Sequence, residues 1–292
     1  MRIHAHLVAG WLVLGAAPAC QPPATGSDHL KIVVKNAGGV RRYALAYQLP
    51  TDPWELELDV RRTTTIFAAG EPTSTTRRRW RSGLRVAPAA ITSDGGLQYR
   101  MFLTHARLET GEGDPTEVAV PPGLYAELEL TRLGAWKGFR WVLPPGTTLA
   151  DTTPLEPMLP RLYWTLPPFG IGSGARWTET SEGFNSSLTN VTNAVVQGFA
   201  PSVDRTGLDL EYTEAITAPR QPIDTVDGPV EVESGEGSGN GHVRISCETW
   251  IEKATFERRM VLRLRATNPK LPPNATMLVV LRVRAERTVP PP

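Results

Sequence analysis

Apolar and polar residues alternate with a period of two along much of this chain. Leu30–Val34, Tyr43–Tyr47, Trp54–Val60, Tyr99–His105 and Tyr125–Leu130 each place greasy side chains on one side and polar ones on the other. That is the signature of a strand in a sheet with one wet face. The later part of the chain repeats the pattern in Leu208–Tyr212, His242–Trp250, Met260–Arg265 and Met277–Arg284, with Arg or Glu on the polar side. Helical periodicity is scarce. Its one candidate, Thr153–Pro160, carries three prolines that would confine it to a turn or two. With 27 prolines and 26 glycines the chain is punctuated as strand-and-turn proteins are. The expected fold is all-β, built of antiparallel meanders that form curved sheets or a half-barrel, with little helix.

Proline density divides the pattern. Residues 30–145 form a first β-rich half, 146–168 a proline-rich connection, 169–288 a second β-rich half and 289–292 a tail. Each half opens on a glycine cluster followed by an aromatic residue, Gly38-Gly39…Tyr43 and Gly172…Gly174…Trp177, which suggests a duplicated meander. Gly235–Gly241 reads as a flexible hairpin loop within the second half.

The first residues carry an address. Met1–His6 holds a positive charge, Leu7–Leu14 is a short apolar core, and Gly15–Ala19 supplies small residues before Cys20. This is the layout of an export signal over residues 1–19. The apolar run falls short of the roughly 20 residues needed to cross a bilayer core. A small-x-small cut after Ala19 and a lipoprotein cut before Cys20 fall at the same bond. A lipobox usually carries a branched apolar residue where Ala17 stands, which leaves a soluble secreted protein as the alternative. Residues 20–29, rich in Pro, Gly and Ser, read as a tether between a lipid on Cys20 and a folded body. Gln21 is no inner-membrane retention signal, so the expected location is the outer membrane.

The full chain carries 31 basic and 30 acidic residues, which leaves 30 against 30 once Arg2 is removed with the signal. Such a balance argues against a nucleic-acid partner. Only five of the basic residues are lysines, an arginine bias expected of a GC-rich coding preference. Two cysteines make no disulfide framework. Cys247 reads as a small buried hydrophobe if Cys20 is lipidated, and as its bridging partner if Cys20 is not. Arg77, Arg78, Arg79 and Arg81, interleaved with Trp80, form the one dense basic cluster and a candidate anion-binding site. In an extended segment alternate arginines point to opposite faces, and carboxylates such as Glu71 can neutralise part of the charge. Glu109, Glu112, Asp114 and Glu117 crowd a turn without the spacing of a calcium loop. His105 lacks the partner histidine that zinc would need. Gly170, Gly172 and Gly174 lack the preceding strand and following helix of a nucleotide-binding loop and read as a kinked lead-in to a strand, with Trp177 as a core anchor. No catalytic residue, metal or cofactor is expected.

The segment Leu166–Trp177 resembles the Pro…Gly-x-Gly-x-x-Trp signature of an uncharacterised family of bacterial exported lipoproteins, through Gly172, Gly174 and Trp177. The family's layout also matches: a β-rich half, a proline-bounded stretch, the motif, then a β-rich half with a glycine-rich segment. Ser173 departs from the apolar residue usual between the glycines. The resemblance implies export and supplies no catalytic residue to carry over. The function expected is therefore that of a non-catalytic envelope lipoprotein, held to the membrane by Cys20, whose sheets bind an apolar or amphipathic ligand or an envelope partner. A structural or adhesion-type surface module is the alternative, and a secreted hydrolase the second.

Overall fold

The computed structural model describes residues 30–111, 115–146, 162–182, 188–200, 207–225, 228–247, 250–266 and 274–288. The signal, Cys20 with its tether, the helix candidate Thr153–Pro160, Glu112, Asp114 and the C-terminal tail lie outside these residues. The described chain is all-β: a single antiparallel sheet of fourteen strands, without helix and not closed on itself. The first-half strands are β1 (Leu30–Asn36), β2 (Trp54–Ala68), β3 (Glu71–Ile91), β4 (Leu97–Thr110), β5 (Thr116–Glu117), β6 (Tyr125–Leu130) and β7 (Trp136–Val142). The second half adds β8 (Arg176–Glu182), β9 (Thr189–Ala200), β10 (Gly207–Ala218), β11 (Gln221–Thr225), β12 (Gly228–Ser246), β13 (Trp250–Ala266) and β14 (Ala275–Thr288).

The order is β1-β8-β9-β10-β12-β13-β14-β2-β3-β4-β6-β7, with β11 on β12 and β5 on β4. Each half is thus a meander, and the two are fused into one sheet where β14 pairs with β2 from Thr276↔Phe67 to Thr288↔Glu55. β1 leaves its own half and closes the far side of the other by pairing with β8.

Alternation gives this sheet one apolar face, which must be covered. In a flat sheet β13 and β4, four strands apart, would be separated by roughly 19 Å. Yet the rings of Trp250 on β13 and Tyr99 on β4 lie 4.7 Å apart, and Trp54 on β2 touches both at 5.2 and 5.9 Å. The sheet therefore curls, with its apolar face inward. Residues 45–49 and 162–166 lie against that face. Tyr47 and Leu166 are fully buried, the Tyr47 hydroxyl accepts from the Trp164 amide at 3.2 Å, and Trp164 packs on Tyr212 of β10 at 4.7 Å. The β6–β7 turn clamps both segments: Arg132 O accepts from the Tyr47 amide at 2.7 Å and Leu133 O from the Leu166 amide at 2.7 Å.

Three local expectations are corrected. Tyr43–Tyr47 is not a strand: only Tyr43 bridges to Ile171, and the rest is committed to covering the core. His242–Trp250 is not one strand, because β12 ends at Ser246 and β13 begins at Trp250. Trp250 has φ +60°, a left-handed conformation that the packing of its indole maintains. Gly235–Gly241 is no loop but the middle of β12, paired on both sides with β10 and β13. One core runs across both halves.

Gly134, at the β6–β7 turn, has φ +81°, and a Cβ there would collide with Trp164 O and the Tyr47 ring. Gly134→Ala is expected to cost about 2–3 kcal/mol, the sum of left-handed strain and displaced packing. The midpoint of urea unfolding measures it.

Candidate functional site

The arginine cluster lies on β3, and the strand's pleat divides it. Arg77, Arg79 and Arg81 share the outer face, while Arg78 points inward beside Trp80. Register brings other arginines to the outer group. Arg282 of β14 faces Arg61 of β2, which faces Arg79, which faces Glu109 of β4. Asp59 accepts two hydrogen bonds from Arg79, at 2.8 and 2.5 Å, and lies 3.4 Å from Arg61. Glu109 lies 3.6 Å from both Arg79 and Arg81, and Glu257 accepts from Arg282 at 2.7 Å. Asp59, Glu109 and Glu257, not Glu71, are thus the neutralising carboxylates. Arg77 is exposed and has none among the described residues.

Arg61, Arg62, Thr63, Arg77, Arg78, Arg79, Glu109 and Arg282 border a groove of about 420 Å³. Arg282 also borders a larger one, about 720 Å³, whose walls include Asn193, Glu211, Thr213, Asn240, His242 and Thr255. Four outward guanidiniums, Arg61, Arg77, Arg79 and Arg282, border the smaller groove together with the inward Arg62 and Arg78 and the carboxylate of Glu109, which makes it the candidate anion site. The doublets Arg61-Arg62 and Arg282…Arg284 were visible in the sequence, but nothing local says that they stand beside Arg77–Arg81.

The Arg79 hydrogen bonds hold the Asp59 carboxyl below its usual range, with Arg61 adding to the effect. This stabilisation is complete above the unfolded aspartate value of about 4 and is lost as pH falls through the lowered folded value. Arg79→Gln should therefore flatten the acid limb of the stability–pH curve below about pH 4 and leave the shape near neutrality unchanged, as read by thermal unfolding across pH.

The inner face carries a second polar feature. One row of inward residues runs across ten strands as Ile32, Glu179, Thr192, Glu214, Gly239, Arg258, Leu281, Arg62, Arg78 and Thr110. On one side of this row lies the large aromatic core, on the other a smaller cluster that includes Ile216, Val232, Met260, Leu262 and Met277. Glu214 on β10 reaches over β12 to Arg258 on β13, accepting bonds at 2.7 and 3.1 Å, with its side chain only 1% exposed. Gly239 makes this possible, because a Cβ there would sit inside the Glu214 carboxylate. Gly235, Gly237 and Gly241 line the same inner face of β12, where a Cβ would respectively collide with Leu262, come within 3.3 Å of Met260 and come within 2.7 Å of Phe256. Glu214→Ala, which strands the Arg258 charge, should cost about 3–5 kcal/mol, and adding Arg258→Met should restore more than half of it in chemical unfolding.

The remaining sequence candidates are dispersed. His105 lies 3.4 Å from Glu57 and His242 3.9 Å from Asp209, both on the exposed face, whereas Cys247 is buried in the core. Glu117 pairs with Arg107 at 3.0 Å. Among the described residues no cluster of His, Cys, Asp and Glu could hold a metal ion. Gly172 packs against the backbone of Gly39 and Arg41, Gly174 has φ +78°, and Trp177 is 1% exposed at the start of β8.

No family model and no curated protein matches this chain. Among solved structures it is similar to DynF from the dynemicin biosynthesis pathway of Micromonospora chersina, at 9% identity and a TM-score of 0.23, covering 93% of this chain and 92% of that one. It is also similar to an outer membrane channel from Pseudomonas putida F1, at 12% identity and a TM-score of 0.23, covering 82% and 97%. At such scores the reading of the site rests on this chain's own residues.

Proposed function

We propose that this protein is a non-catalytic bacterial envelope lipoprotein, tethered to the outer membrane through Cys20, that binds anionic groups of an envelope lipid or glycan on its outer arginine groove. The observation that carries this reading is the side-by-side placement of Arg282, Arg61 and Arg79 on three adjacent strands, with Arg77 one rung away. Like charges directly opposite one another are unfavourable, and three carboxylates offset them only in part. An incoming phosphate or carboxylate completes the neutralisation, and Arg presents the planar donor pairs that such groups accept. The outer faces of β13 and β14 carry Lys, Arg and Glu at alternate positions, among them Lys253, Glu257, Arg282, Arg284 and Glu286. That is the inverse of a lipid-spanning barrel, whose outer face is apolar. It suits a body that sits beside a membrane on a leash.

Two measurements test the two parts. Palmitate labelling of the protein in a diderm host should be sensitive to globomycin and abolished by Cys20→Ala; an unlabelled wild type ends the anchor reading. Flotation with anionic vesicles should exceed that with zwitterionic ones, weaken with salt, and fall by about tenfold in the Arg61→Gln/Arg77→Gln double variant. Equal flotation of the variant and wild type ends the groove reading.

A further inference from the structure

The two outer grooves meet at Arg282, and strand register shows how they are joined. One outward rung runs from Asn193 of β9 through Thr213, Asn240 and Glu257 to Arg282 of β14, and continues as Arg61 and Arg79. The larger groove lies on one side of this rung, bounded beyond by Glu211, His242 and Thr255, with the inward-pointing Tyr212, Gly241 and Phe256 as its floor. The smaller groove lies on the other side, bounded beyond by Thr63 and Arg77. An extended ligand laid slightly oblique to the rungs passes through both, with Arg282 at the crossing. From Asn193 to Arg79 its path crosses the strands β9-β10-β12-β13-β14-β2-β3, roughly 29 Å at the spacing of paired strands.

The chemistry changes along this path. Its β14-β2-β3 end offers guanidiniums, whereas its other end offers amides, hydroxyls and carboxylates. Thr213 and Asn240 are exposed and make no side-chain hydrogen bond among the described residues. Asn193 Oδ1 accepts from Thr178 Oγ1 at 2.8 Å, which leaves its amide N–H groups to donate elsewhere. Glu211 accepts from Gln197 Nε2 at 2.7 Å and Glu257 from Arg282 Nε at 2.7 Å, and each carboxylate keeps lone pairs for further donors. A row of such groups suits sugar hydroxyls, which both donate and accept. A hydrocarbon chain would strip water from these groups without replacing its hydrogen bonds. An extended peptide has no edge to join here, because β9, β10, β12, β13 and β14 are each paired on both sides.

We propose that the two grooves form one track for an extended acidic polysaccharide, with an acidic unit on Arg61, Arg79 and Arg282 and neutral units along Glu257, Asn240, Thr213 and Asn193. This rests on the anion reading of the smaller groove and names a glycan chain as the carrier of the charge. Its acidic units are interrupted by neutral ones, since a carboxylate on every unit would face Glu257 and Glu211, and like charges so placed are rejected.

The test is calorimetric titration of the full-length exported chain with Cys20→Ser, which keeps a covalent acyl group out of the assay. The probes are a hyaluronan disaccharide and hexasaccharide, in which acidic and neutral units alternate, the fully acidic hexagalacturonate and the neutral chitohexaose. The hyaluronan hexasaccharide should bind at least about tenfold more tightly than the disaccharide or chitohexaose, and more tightly than hexagalacturonate. Thr213→Val/Asn240→Leu, two changes at exposed strand positions, should remove most of the gain with length. Its unchanged disaccharide binding and unchanged flotation with anionic vesicles report an intact fold and an intact arginine end. Arg61→Gln should weaken both hyaluronan fragments. The proposal is overturned if the hexasaccharide binds no better than the disaccharide, if chitohexaose or hexagalacturonate matches it, or if the Thr213→Val/Asn240→Leu variant binds it as wild type does. In that last case a weakened Arg61→Gln leaves the anion groove standing. Arg61→Gln without effect on either fragment, together with unaltered flotation of Arg61→Gln/Arg77→Gln, ends the groove reading itself.

Discussion

A wide antiparallel sheet with one apolar face has only two ways to remove it from water: to fold over on itself or to have chain laid against it. This protein does both. The sheet curls until Trp250 meets Tyr99 across three intervening strands, and residues 45–49 and 162–166 occupy the concavity, where Tyr47 and Trp164 bond to each other and Trp164 packs on Tyr212. Every register relation that places a functional side chain depends on this closure, because register is specified only where one face has a buried set to protect.

The inner row of polar residues is the cost this arrangement carries. A residue such as Glu214 on an inward position would be untenable alone, and its tolerance comes from Gly239, which leaves room for the carboxylate to cross a whole strand and meet Arg258. The glycines of β12 do not loosen the strand. They let the neighbouring side chains close over it.

The two faces of the β2–β3 ribbon thus present arginines for different reasons. On the outside, Asp59, Glu109 and Glu257 tie the guanidiniums into a lattice of partial neutralisation, which positions them beside the exposed Arg77. On the inside, Arg62 and Arg78 meet across one rung between two apolar clusters. The first environment is wet and screened by salt; the second is drier, so electrostatic interactions there weigh more.

Period-two alternation was sufficient to give the all-β class, the strands around Leu30, Trp54, Tyr125, Leu208, Met260 and Met277, and the splitting of Arg77–Arg81 between two faces, because the pleat is a local property of the backbone. Composition was sufficient to set the charge balance near neutrality, with 31 basic against 30 acidic residues. The segments misread were those whose neighbours outweigh their own preferences. Tyr43–Tyr47 alternates like a strand but is consumed in covering the core, and Gly235–Gly241 looks like a loop but is held extended by β10 and β13. Likewise, the sequence named Arg77, Arg79 and Arg81 without being able to add Arg61 and Arg282, or to show that Arg62 faces Arg78 inside the sheet. Which residues share a face is set by local alternation. Which strands stand side by side is set by long-range pairing that buries the apolar face, and only the folded sheet decides that.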